Sequence, residues 1–202
     1  MLEPGEEYHD LATLVRAKAR KNGDRPALRF AGRTFSYREL DEATDRVAGG
    51  LAAAGIGPGD RVAALLLNTP EFPLLWFGAA KRRAILVPLN TALKGEILRY
   101  ELADSAPSGL VVDRRLWGAY EPLRTAVPIP RCWLAGPADS TTPEPGGTVP
   151  FLDLERAPAR PSEAAPGAAD PVSIMYTSGT TGPPKGAIIP HQKQITTPVE
   201  IG

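Results

Sequence analysis

The chain has 202 residues, 43% of them hydrophobic and 23% charged, a globular composition long enough to bury a sizeable core in one or two domains. Lys plus Arg balance Asp plus Glu at 23 each, so the formal net charge is zero and no overall field favours nucleic acid or an anionic membrane. The single cysteine, Cys132, excludes an intrachain disulfide, and His9 and His191 lie at opposite ends, so no Cys/His cluster has metal-ligand spacing.

The N-terminus, Met1–Asp10, is acidic and polar and carries no secretory signal pattern. Asp10 is placed to cap a helix from Leu11 to about Lys21, which Asn22-Gly23 would stop. Ala27–Phe30 and Thr34–Tyr37 flank Ala31-Gly32-Arg33 as a small hairpin. Ser36 and Glu39 form a capping-box pattern, with Phe35 and Leu40 at the staple positions. Leu40, Ala43, Val47, Leu51 and Ala54 then recur at helical spacing until Gly55 and Gly57. Asp41, Glu42 and Asp45 read as the solvated face of that helix.

Arg61–Leu67 is a nearly continuous apolar run, as expected of a strand buried on both faces. Thr69-Pro70 suits the cap and first position of a helix to about Arg83, on which Phe72, Trp76 and Phe77 read as core. Ile85–Leu89 reads as a strand, Lys94–Ser105 as a helix and Leu110–Asp113 as a short strand. Such alternation implies crossover units and a mostly parallel sheet, an α/β fold. Residues 137–171 are rich in Pro, Ala, Gly and Thr and read as long surface loop, with one apolar island at Val149–Leu154. Val172–Tyr176 restores a strand. The apolar stretches Val62–Leu67 and Leu74–Ala80 are too short to span a bilayer, and a soluble cytoplasmic protein is expected.

The loop after that last strand carries the chemistry. Thr177, Ser178, Thr180 and Thr181 supply four hydroxyls, and Lys185 adds a positive charge. Gly179, Gly182 and Gly186 allow tight turns and close approach to a ligand. Successive amides in such a loop can form an anion-binding nest, and Pro183 and Pro184 restrict its freedom before binding. The expected ligand is a polyphosphate. The loop is not a Walker A motif, because the fifth residue after Gly179 is Pro184 and Lys185 is followed by glycine. A flexible Gly/Ser/Thr linker would explain neither the paired prolines nor the lone lysine between strand-like flanks.

The run Tyr176-Thr-Ser-Gly-Thr-Thr-Gly-Pro-Pro-Lys-Gly186 closely resembles the signature loop of the adenylate-forming superfamily, which holds acyl-CoA synthetases, luciferases and peptide-synthetase adenylation domains. Upstream, Thr34–Leu40, Gly57–Ala63, Val87–Asn90 and Leu98–Ser105 also resemble that family, most nearly its fatty-acid and carnitine-type CoA ligases. There are departures: Arg83 stands where the family commonly has Gly, and 192–199 is less typical.

The resemblance implies the N-terminal part of an AMP-binding domain: an α/β region over 1–136, the Pro-rich loop over 137–171, and the signature loop with its flanks over 172–202. The family's adenine pocket, ribose-binding acid, hinge and C-terminal lid with its catalytic lysine have no counterpart in the chain. The implied reaction activates a carboxylic acid with ATP and Mg2+ to acyl-AMP, then transfers it to coenzyme A. Thr177, Ser178, Thr180, Thr181 and Lys185 are the candidates for phosphate contact, and Gly179, Gly182 and Gly186 the shape residues. His191 matches the family's histidine just after the signature; it either lines the acyl or nucleotide site or packs at a helix start. No catalytic set is complete, the metal ligand is unassigned, and a complementing C-terminal segment would be needed for turnover. A non-catalytic nucleotide-binding or assembly module and a fragment of a peptide-synthetase adenylation domain stay open. Cys132 reads as a packing residue and His9 as surface.

Overall fold

The computed structural model describes residues 8–137, 145–159, 164–177 and 182–196. Helix α1 (Leu11–Asn22) starts where the Asp10 carboxylate accepts the Thr13 amide at 2.7 Å and ends at Gly23. Strands β1 (Pro26–Phe30) and β2 (Arg33–Ser36) form a separate antiparallel hairpin. Ala31 and Gly32 both take positive φ in its turn, which matches the twist of the flanking strands. The expected capping box opens α2 (Tyr37–Ala53): Ser36 Oγ accepts the Glu39 amide at 3.2 Å, and Glu39 Oε2 accepts the Ser36 amide at 2.8 Å.

The alternating part follows as β3 (Arg61–Leu65), α3 (Glu71–Lys81), β4 (Ile85–Pro88), α4 (Gly95–Ser105) and β5 (Gly109–Asp113). Pro70, not Thr69, borders α3; among the described residues no side chain caps that helix, and the buried Thr69 Oγ1 has no partner. After β5 come short helical turns that include α5 (Trp117–Tyr120), and then β6 (Arg131–Ala135). The region read as loop also contributes. Its described residues include β7 (Val149–Pro150) and α6 (Leu152–Arg156), which seat Phe151 and Leu154 in the core. Strands β8 (Pro171–Thr177) and β9 (Lys185–Pro190) and helix α7 (His191–Thr196) complete the described elements.

The main sheet has the order β7-β6-β5-β3-β4-β8-β9. Every neighbouring pair is parallel except β8 and β9, which are antiparallel. The apolar run at β3 serves both faces. Val62 and Ala64 pack under α2 and α3 with Val47, Leu51 and Leu75, while Ala63 and Leu65 pack under α4 with Leu98 and Leu102. A third cluster joins α1, α3, β8 and α7 through Leu11, Ala80, Val172 and Ile195.

Glycine permits close helix contacts. A Cβ on Gly50 of α2 would lie 2.8 Å from the backbone Cα of Leu154 in α6. The acidic face of α2 is not simply solvated: Asp41 Oδ1 and Asp45 Oδ1 accept from the fully buried Lys81 ammonium at 2.6 and 2.8 Å. Lys81 ends α3, and the two carboxylates stand one helical turn apart on α2, so the triad ties these helices together. Glu42 is exposed, as expected.

Candidate functional site

The candidate loop joins β8 to β9. β8 runs parallel to β4, so its last residue, Thr177, lies at the carboxyl edge of the parallel strands, where ligands of open α/β sheets bind. β9 turns back antiparallel, with Thr177 opposite Lys185 and Tyr176 opposite Gly186. The hairpin therefore brings the first hydroxyl and the lysine of the motif side by side at its mouth. Both residues are exposed. Ser178, Gly179, Thr180 and Thr181 lie outside the described residues.

The two described loop glycines differ. At Gly186 a Cβ would lie 2.8 Å from Ile174 Cγ2 and 3.3 Å from Tyr176 Cζ, so a side chain there would push β8 and the tyrosine ring aside. At Gly182 a Cβ meets open space among the described residues, and only Gly186 has a steric reason there to be glycine.

Tyr176 is a residue that the sequence motif alone did not single out. Its ring lies over Gly186, and its hydroxyl donates to Asp104 Oδ2 of α4 at 2.6 Å. Burial, then the hydrogen bond and negative charge of Asp104, push its phenol up from the ordinary value. The only cue in the sequence was a tyrosine at the start of the motif; nothing indicated its distant partner.

His191 is buried at the start of α7, at the far end of β9 from Lys185. Its Nδ1 accepts the Leu11 amide at 3.2 Å, which ties α7 to the first turn of α1. This bond belongs to the second of its two expected roles, packing at a helix start. Burial lowers its pKa, against a smaller opposing pull from Asp10 and Asp170. Nearby, Arg83 has φ 57 and donates to Asp170 Oδ2 at 3.2 Å. That left-handed backbone accounts for the glycine common in the resembled family at this place. The same carboxylate accepts the Gly167 amide at 2.9 Å, and the bonds from Gly167 and Arg83 hold its pKa down against partial desolvation. Cys132 is buried and its thiol is pushed up to about 11 by desolvation, which suits a packing residue rather than a nucleophile. His9 is exposed.

A mostly parallel sheet with helices on both faces and the candidate loop at its carboxyl edge places the chain in the open α/β class of proteins. The chain belongs to the AMP-binding enzyme family, whose model matches residues 15–201. It is 36% identical over 178 residues to the crotonobetaine/carnitine–CoA ligase of Salmonella agona (strain SL483), covering 84% of this chain and 34% of that protein. It thus spans about a third of the length of that curated relative. The fold is similar to a crystal structure of the anthranilate CoA ligase AuaEII in complex with anthranoyl-AMP. The TM-score is 0.84 and identity 27%, over 92% of this chain and 35% of that one. A putative long-chain-fatty-acid CoA ligase from Rhodopseudomonas palustris CGA009 matches with TM-score 0.83 and identity 29%, over 95% of this chain and 47% of that one. The expected fold is therefore found: the N-terminal part of the adenylate-forming enzyme fold. No helix among the described residues is long and apolar enough to cross a membrane.

Proposed function

We propose that this chain supplies the ATP-phosphate grip of an AMP-forming acyl-CoA synthetase. In that reaction a carboxylate oxygen attacks the α-phosphorus of ATP, pyrophosphate leaves, and the coenzyme A thiol then displaces AMP from the acyl carbon. Loop 177–186 would hold the β- and γ-phosphates and stabilise the charge that moves onto pyrophosphate. Thr177, Ser178, Thr180, Thr181 and Lys185 make the contacts in this reading, while Gly179, Gly182 and Gly186 shape the loop. Mg2+ arrives with the phosphates, since it prefers substrate oxygens and water to an all-protein cage. Among the described residues no three His, Cys, Asp or Glu side chains could hold an ion.

The observation that carries the reading is the register Thr177 opposite Lys185 at the mouth of the hairpin. CoA ligases among its relatives support the acid–thiol ligase assignment. Turnover would need the parts of such an enzyme that lie outside this third of its length. The test is calorimetry of MgATP binding to the 202-residue chain beside Lys185→Ala. A loss of about tenfold in affinity is expected, the size of one charge-assisted hydrogen bond. Equal binding by wild type and variant would remove the lysine from the grip.

A further inference from the structure

The hairpin that presents the loop needs something to fix its position. β9 is the outer strand of the sheet, and Lys185–Ile188 are exposed. Little packing therefore holds the strand on which Lys185 sits.

The Tyr176 ring spans this gap. It lies over Gly186, the residue after Lys185, close enough that a glycine Cβ would stand 3.3 Å from Cζ and 3.5 Å from Cε1. At its other end the hydroxyl donates to Asp104 Oδ2 at 2.6 Å. Asp104 stands in the last turn of α4, whose Leu98 and Leu102 are fully buried under the sheet. The ring thus connects a well-packed helix to the exposed start of β9. The bond is short and charge-assisted, the stronger kind of hydrogen bond.

We infer that Tyr176 and Asp104 form a strut that positions Lys185 and the exit of the loop for polyphosphate, with Tyr176 and Asp104 as positioning residues that need not touch the ligand. The inference rests on the proposed phosphate grip. Tyr176→Phe is the sharpest variant, because it keeps the ring over Gly186 and removes only the hydroxyl.

Two measurements on the 202-residue chain test it. The first is MgATP affinity of wild type, Tyr176→Phe, Asp104→Ala, Asp104→Asn and the double variant Tyr176→Phe/Asp104→Ala. The two single losses are expected to be about five- to tenfold, with no further loss in the double variant and partial recovery with asparagine, which keeps an acceptor. Wild-type affinity in a folded Tyr176→Phe, or losses that multiply in the double variant, would overturn the strut. The second is amide hydrogen exchange over 185–188, expected to be about tenfold faster in Tyr176→Phe while 61–65 in β3 is unchanged. If wild type itself fails to bind MgATP, the phosphate-grip reading falls and exchange alone decides: faster exchange supports the strut, and unchanged exchange rejects it.

Discussion

His191 joins two helices through a single acceptor atom. Because Nδ1 accepts the Leu11 amide, the neutral ring carries its proton on Nε2, which is buried and has no partner among the described residues. A second proton would have to sit on Nδ1, facing the amide hydrogen. Burial accordingly lowers the pKa below the ordinary 6.5. A histidine whose folded pKa lies below its unfolded value binds fewer protons in the fold. Its contribution is therefore complete above about pH 6.5 and is lost as pH falls from there toward the folded pKa. His191→Asn keeps an acceptor near Nδ1 and does not titrate. In urea unfolding between pH 7 and 5.5, wild type should lose more stability than the variant. Parallel profiles would contradict the buried neutral ring. A histidine after the motif was legible in the sequence, but its bond to Leu11, 180 residues away, was not. Arg83 is similar. The departure from glycine was visible, whereas the left-handed backbone that favours glycine there, at φ 57, was not.

The Lys81 triad sets the relation of α2 to α3. The ammonium is wholly buried, while Asp41 and Asp45 keep about a fifth of their side-chain surface, at 21% and 23%. Lys81→Ala would leave two neighbouring carboxylates facing a void and should cost about 3 kcal/mol in urea unfolding. A cost below about 1 kcal/mol would mean that water compensates the pair. The pairing escaped the sequence because the 41/45 spacing is equally that of a solvated face, and the cation comes from another helix. Elements were most legible where local chemistry repeats: the capping box at Ser36, the turn at Gly32, and the two-faced run at β3. β6 was missed because Cys132–Ala135 is a short apolar run between prolines, too short to show a period. The Pro-rich region hid α6 for another reason. Among its described residues, Phe151 and Leu154 are the two side chains drawn into the main core cluster, and the pattern that would flag them belongs to the surface of α2.

On the scale of the whole molecule, six of the described strands run parallel and carry their carboxyl ends to one edge, beside which β9 forms an outer antiparallel strand. On the proposed reading this part grips the β- and γ-phosphates and not the adenosine. The most direct test is calorimetric titration of the 202-residue chain with magnesium pyrophosphate, MgATP and AMP. Pyrophosphate and ATP should bind with affinities within about tenfold of each other, and AMP at least about a hundredfold more weakly, since it lacks the phosphates that the loop holds. Binding of AMP as tight as that of ATP, with none for pyrophosphate, would contradict a phosphate grip at 177–186.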